Sequence, residues 1–363
     1  MDLSKAYDCL PHDLIIAKLE AYGFGKDSLK LIYNYLSNRK QRVKVGTKLS
    51  DWIKIILGVP QGSILGPLLF NIFLNDLFLF ILETDICNFA DDNTLHVGNK
   101  NQQKVISSLT RDTNRAIEWF RINGMVVNPA KFQLMFLGNG SQIVNLVVDG
   151  KTIISTDRVK LLGVTIDRDL SFKSHIDNIC KSATSKTNAL LRIRPYIDTE
   201  KARTLYNAYV ASAFNYCNII WMFSTKKSND RINRAHKRAL RIVYNEYDSS
   251  LEELLQIDGS TSIHKRNLRV LATEIYKSLN HLNPEFMWEL FSVRETKYSL
   301  RSGYCLKLPE TNLKTYGTFG VLFRSCYNRN SLPVAIKDSV TLAEFKRQIK
   351  KWQPKNCGCR LCR

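Results

Sequence analysis

The sequence has no uninterrupted apolar run long enough to cross a bilayer. Its longest greasy stretch, 68–82, is broken by Asn71, Asn75 and Asp76, and polar groups of that kind are costly in hydrocarbon. The opening Met1-Asp2-Leu3-Ser4-Lys5 lacks the apolar centre of a secretory signal. A disulfide framework is also a poor fit, because nine cysteines, an odd number, lie scattered over 363 residues. There is no internal repeat and no low-complexity linker. Acidic residues are scarce, 33 against 53 Lys plus Arg, for a formal net charge of +20. These absences predict an intracellular protein, nuclear or cytoplasmic, with no membrane partner.

What remains is globular, with 44% hydrophobic and 24% charged residues. The charge is unevenly placed. Residues 1–150 hold 16 basic and 14 acidic side chains, whereas residues 151–363 hold 37 and 19. An excess of that size attracts polyanions, of which nucleic acid is the commonest, although a merely solvated surface has the same composition.

Periodicity predicts an α+β chain. Residues 10–22 read as a helix with Leu14, Ile15, Leu19 and Tyr22 on one face, ended by Gly23 and Gly25. A second helix covers 28–36, with Ser28 as its cap. Strands are expected at 41–45 and 52–59, and an apolar helix from near Leu65. Short apolar runs at 85–90 and 94–97 suit a hairpin, and 103–120 an amphipathic helix striped by Ile106, Leu109, Thr113, Ile117 and Phe120. A strand is expected at 159–166. Beyond it four basic amphipathic helices follow, at 174–194, 199–222, 228–247 and 262–281. The pattern weakens after Pro284, so three regions are expected: 1–167, 168–283 and 284–363.

The most informative pair is Asp91-Asp92, at the turn between the two apolar runs. Adjacent carboxylates repel unless a cation neutralises them, and two hard divalent ions bridged by carboxylates do so in polymerases. A solvated Asp-Asp-Asn turn is the alternative. Asp2 offers a second ligand strand, or else a helix cap. Between them, the segment Gly58-Val59-Pro60-Gln61-Gly62-Ser63 has glycines that permit close backbone approach and an amide at Gln61. It also suits a plain strand–turn–helix connection.

In order and spacing these three segments resemble the palm motifs of reverse transcriptases, particularly those of non-LTR (LINE-type) retrotransposons. The segment from Asp2 to Tyr7 resembles the Asp-x-x-x-Ala-aromatic motif, Pro60 to Ser63 the Pro-Gln-Gly-Ser motif, and Phe89 to Asp92 the Phe-Ala-Asp-Asp motif. Asn123-Gly124 with Asn128-Pro129-Ala130-Lys131 resembles the lysine-bearing helix-to-loop motif, and Leu161-Leu162-Gly163-Val164 the primer grip.

The resemblance implies a palm over 1–167 and a thumb-like helical region over 168–283 that includes Tyr206, Tyr209 and Trp221. It implies an RNA-directed DNA polymerase acting on an RNA template, a DNA primer and deoxynucleoside triphosphates. Asp2, Asp91 and Asp92 would hold two magnesium ions, or manganese in their place. Tyr7 would stack under the sugar and reject a 2′-hydroxyl, and Gln61 with Gly62 would line the nucleotide pocket. Lys131 would neutralise or protonate the departing phosphate, and Leu162 and Gly163 would hold the primer. Tyr206, Tyr209, Phe214 and Tyr216 are expected to be packing aromatics. The family's fingers and an endonuclease domain are expected upstream of Asp2, so the chain is expected to polymerise poorly alone.

Cys357, Cys359 and Cys362 could share a zinc ion, although tetrahedral closure needs a fourth ligand. Two rival readings stay open. One is an RNA-dependent RNA polymerase, since Asp2 and Asp8 also fit a paired-aspartate motif. Ala90 and the absence of a Ser-Gly-x-x-x-Thr pattern in 58–70 speak against it. The other is a non-catalytic nucleic-acid-binding remnant of an element.

Overall fold

The computed structural model describes residues 1, 3, 5–138, 143–294, 305–312 and 320–353. The chain divides into two compact units, Met1–Leu162 and Gly163–Arg363. Both are mixed or helical, and among the described residues every sheet has two strands, so the class is α+β.

The first unit opens with α1 (His12–Ala21), which starts after Pro11, and α2 (Lys26–Leu36). Ser28 does not cap α2. The cap position is Gly25, in extended conformation, and Asp27 supplies the negative charge favoured in a first turn. The strands expected at 41–45 and 52–59 are shorter pieces of one hairpin, β1 (Lys40–Gln41), β2 (Lys44–Val45), β3 (Lys48–Leu49) and β4 (Ile53–Lys54). Then come α3 (Leu65–Leu74), β5 (Asp85–Phe89), β6 (Asp92–His96) and α4 (Gln102–Ile122). The unit closes with the hairpin of β7 (Asn145–Val148) and β8 (Lys151–Ile154), and with β9 (Arg158–Leu161).

Its core gathers Ile15 and Leu19 of α1, Phe70 and Phe73 of α3, and Trp119 and Phe120 of α4. Each such side chain contributes roughly 1.5–3 kcal/mol on burial. Lys18 is drawn into this core. Its ammonium lies 4.4 Å from the Phe73 ring centroid and 4.5 Å from that of Trp119. It also pairs with Asp76 at 2.7 Å. Desolvation holds its pKa below the usual lysine value, against the opposing pull of Asp76.

The stripe read on α4 divides between two cores. Thr113 and Phe120 are buried, while Ile106, Leu109 and Ile117 pack beneath Leu146, Val148 and Ile153 of the β7–β8 hairpin. Trp119 packs edge-on against Phe73, and Ala116 and Phe120 join the same core.

The second unit runs from β10 (Val164–Asp167) into α5 (Lys173–Ile193). The single helix expected over 199–222 is broken into α6 (Thr199–Leu205), a π turn at Tyr206–Val210, α7 (Ser212–Asn215) and α8 (Asn218–Trp221). The break falls where Cys217 adopts a left-handed φ of 44°. Next come α9 (Lys226–Tyr244), α10 (Leu251–Asp258) with a Ser250–Glu253 capping box, and α11 (Ile263–Leu279). The region of weak signal after Pro284 also holds helices, α12 (Glu285–Trp288), α13 (Val321–Asn330), α14 (Val334–Lys337) and α15 (Leu342–Lys351). One core joins α5 and α9 through Ile176, Ile179, Ala183, Ile232 and Leu240, and a second joins α11 and α15 through Tyr276 and Phe345.

Of the four aromatics read as packing residues, Tyr206 and Phe214 are buried, but Tyr209 and Tyr216 are more than half exposed. Tyr209 carries the Lys186 ammonium 5.0 Å above its ring. Among the described residues no helix is long and apolar enough to cross a membrane.

Candidate active site in the first unit

The carboxylate pair sits on a tight antiparallel hairpin. Pairing runs from Asp85 opposite His96 to Phe89 opposite Asp92, leaving Ala90 and Asp91 as a two-residue loop. Such a loop demands a positive φ, which Ala90 supplies at 54°. Asp91 is therefore held at the tip, half-buried, and Asp92 is the first residue of the returning strand and exposed. Neither carboxylate has an ion pair with a described residue. Asn93 is buried and donates its side-chain amide to the Asp91 carbonyl at 3.0 Å, bracing the turn.

The base of the hairpin is anchored by a carboxylate that sequence reasoning missed. Asp112 on α4 is fully buried. It accepts from the backbone N–H groups of Leu82 (3.3 Å), Glu83 (2.8 Å) and Thr84 (2.7 Å), and from Arg115 (2.6 Å). Burial alone would raise its pKa, but these donors outweigh it and hold the carboxyl below its usual range. Only its place on the buried side of a helix could have flagged it.

Residues 7–12 and 57–61 form the second part of the site. The N–H of Gly58 donates to the Leu10 carbonyl at 2.8 Å, and that of Val59 to the Tyr7 carbonyl at 2.9 Å. His12 Nε2 donates to the Gly58 carbonyl at 2.8 Å. Contact is so close that a Cβ on Gly58 would lie 2.7 Å from Asp8 Cα. This pairing brings Gln61 to Asp8, with Nε2 donating to Oδ1 at 2.9 Å. Gly62 is exposed, with a φ of 82° and open space around its Cα.

Tyr7 stacks on Phe70 with ring centroids 4.4 Å apart. Burial first, and then the negative charge of Asp91, push its phenol pKa up, which places Tyr7 within the field of the hairpin tip.

Asp2 lies outside the described residues, as do Cys357, Cys359 and Cys362. The described neighbours of position 2 are both tied down. The Met1 amine donates to the Asn93 carbonyl at 2.5 Å, the Asn93 N–H donates back to the Met1 carbonyl at 3.4 Å, and Leu3 bridges to Val127. Lys131 ends the 3₁₀ turn Pro129–Lys131, capped by Asn128, and is exposed. Leu162 and Gly163 both adopt left-handed φ values, 45° and 80°. Among the described residues no three His, Cys, Asp or Glu side chains gather into a metal site.

Residues 1–166 match the family model described as reverse transcriptase (RNA-dependent DNA polymerase). Among curated proteins, the chain is 26% identical over 258 residues to a "Probable RNA-directed DNA polymerase from transposon BS" of Drosophila melanogaster, covering 67% of this chain and 28% of that protein. It is 24% identical over 252 residues to the "RNA-directed DNA polymerase from mobile element jockey" of the same fly, 66% and 27% of the two chains. It is 29% identical over 143 residues to the Pol polyprotein "from type-1 retrotransposable element R2" of Popillia japonica, 36% and 23%. The matched part thus spans less than a third of each of these relatives. With the Phe-Ala-Asp-Asp hairpin and the Pro-Gln-Gly-Ser segment in place, residues 1–166 are similar to reverse transcriptases, and the curated relatives matched are named as proteins of transposons and other mobile elements.

Proposed function

We propose that this chain is an RNA-directed DNA polymerase that extends a DNA primer on an RNA template with deoxynucleoside triphosphates. The carrying observation is the hairpin tip at Asp91-Asp92, braced by Asn93 and tied through that residue to the backbone at Met1. Two free carboxylates with no cationic partner among the described residues are the donor set a hard divalent cation takes. Asp91 and Asp92, with Asp2 as the third ligand, would hold two magnesium ions, or manganese in their place. Bound there, such cations lower the pKa of the primer 3′-hydroxyl and stabilise the leaving pyrophosphate.

In this reading residues 1–167 form the palm and 168–283 a thumb, followed by a C-terminal region over 284–363. Tyr7, seated on Phe70, presents its phenol edge to the sugar and excludes a 2′-hydroxyl. Gln61 and Gly62 line the nucleotide pocket beside it. Lys131 balances charge on the departing phosphate, and Leu162 and Gly163 seat the primer. Cys357, Cys359 and Cys362 hold zinc, an assignment that rests on the spacing of three thiols and that metal analysis of the purified chain tests.

Primer extension tests the polymerase reading. The full chain, given oligo(dT) on poly(rA), dTTP and magnesium, incorporates deoxynucleotide slowly, and Asp91→Ala abolishes incorporation. A folded wild-type chain that extends nothing with either magnesium or manganese defeats the reading. A preference for ribonucleotides would return the choice to an RNA polymerase.

A further inference from the structure

Unit charge conceals a local concentration. The 16 basic and 14 acidic side chains of residues 1–150 include six cations and one carboxylate within 39–54: Arg39, Lys40, Arg42, Lys44, Lys48 and Lys54 against Asp51. The rest of that stretch is therefore net acidic, and the positive field of the first unit resides in this short arm.

The arm is a single hairpin. Lys40 pairs with Lys54 and Gln41 with Ile53 at its base, while Lys44 pairs with Leu49 and Val45 with Lys48 near its tip. The register shifts by one between the two blocks, so that Asp51 and Trp52 together oppose Arg42, as in a β-bulge. Alternation along a strand puts Lys40, Arg42 and Lys44 on one face. Lys54 joins that face by lying opposite Lys40, and Trp52 joins it because the Arg42 guanidinium stacks 4.5 Å from its ring centroid. Every residue from 40 to 54 is exposed to solvent, and Trp52 remains 57% exposed.

Two features of this face point to its occupant. Lys40 and Lys54 are like charges directly across the strands, an arrangement that destabilises a hairpin unless an anion lies over it. An apolar protein cover would leave those ammonium groups desolvated and unpaired, which is costly. A polyanion neutralises them and releases counterions. The exposed indole with a guanidinium on it is, in turn, a platform for an unpaired base, which a duplex does not present.

We infer that the 39–54 arm is a binding surface for single-stranded nucleic acid, with Lys40, Arg42, Lys44 and Lys54 on successive phosphates and Trp52 stacking a base. The role needs neither divalent metal nor polymerisation, so it stands apart from the polymerase reading.

The test measures binding of a fluorescent oligo(U) by the full chain in EDTA across a salt series. Wild type is compared with a quadruple variant (K40S, R42S, K44S, K54S) and with Trp52→Ala. Each neutralised phosphate contributes a slope of about 0.7 on a log–log plot for single strands, so the quadruple variant loses about 3 units of slope. Trp52→Ala weakens binding about ten-fold with little change in slope. An oligonucleotide carrying 4-thiouridine crosslinks to a peptide within 39–54. The substituted side chains are exposed, so the variants keep the wild-type melting temperature, and Asp91→Ala binds through the arm as wild type does even where it extends no primer. An unchanged salt slope in a folded quadruple variant overturns the inference, as do crosslinks confined to residues beyond 162. Competition by polyglutamate as effective as by oligo(U) also overturns it, in favour of an acidic polypeptide.

Discussion

The side-chain amide of Gln61 donates to the carboxylate of Asp8 across 2.9 Å. A carboxylate only accepts, so this contact fixes which end of the amide points where: Nε2 to Asp8 and Oε1 away from it. In the proposed pocket Oε1 is then an acceptor held ready for a sugar hydroxyl of the incoming nucleotide. Asp8→Ala frees the amide to rotate. Losing one oriented hydrogen bond, worth about 1 kcal/mol, raises KM for the deoxynucleotide roughly five-fold and changes kcat little. Asp8→Asn, which retains an accepting oxygen, recovers most of that loss. A fall in kcat at constant KM would assign Asp8 a different role.

Gly58 tolerates no side chain. Its φ of 80° already disfavours other residues, and a Cβ would sit 2.7–2.8 Å from Asp8 backbone atoms that are pinned by the pairing of 58–59 with 7–10. Gly58→Ala must open that pairing or move the strand, at a cost of about 2–4 kcal/mol. Chemical denaturation of the full chain measures it. The neighbouring Gly62, with a positive φ but open space around it, loses less on the same substitution, about 1 kcal/mol. Equal losses at the two positions would show that conformational preference, and not the close approach, sets the penalty.

Ala90 carries strain at the turn that presents Asp91. A non-glycine residue at a φ of 54° costs about 1 kcal/mol, and the two-residue loop leaves no other conformation. Ala90→Gly removes that cost, offset in part by the added freedom of glycine in the unfolded chain. The expected result is a net gain of about 0.5 kcal/mol by denaturant titration. A loss of stability would mean that the Ala90 methyl makes contacts worth more than the strain it carries.

How much of this site could be read from the sequence follows from the range of each interaction. The 85–96 hairpin was legible because its apolar runs and its Asp-Asp turn are local, and its strands differ from the expected ones by one or two residues. The Gly58–Leu10 and Val59–Tyr7 bonds were not, because main-chain groups paired across some fifty positions leave no side-chain signature. Asp112 escaped notice because a carboxylate within an amphipathic helix reads as a solvated residue until the loop it caps is folded beside it. In the second unit, the break after Tyr216 has neither glycine nor proline to announce it, so the 199–222 segment read as one helix. That break leaves Tyr216 exposed, with its ring 3.3 Å from where a Cβ on Gly163 would stand.

His236 makes the second unit sensitive to acid. It is buried on α9, stacked with Tyr206 at 6.1 Å and beside Phe214, and its Nδ1 has no hydrogen-bond partner among the described residues. Burial first, then the positive charge of Arg266, lowers its pKa to about 4, against the opposing effect of Asp258. The unfolded chain, with an ordinary histidine pKa of about 6.5, binds the proton more readily than the folded one. Stability from this group is therefore complete above pH 6.5 and declines as pH falls toward 4, by about 3 kcal/mol in all. His236→Phe replaces the ring with an apolar one in an aromatic setting and removes the titration. Melting temperatures of the full chain between pH 7 and pH 4.5 then fall less steeply in the variant than in wild type. Parallel curves for the two proteins would show that other groups, and not His236, govern the acid response.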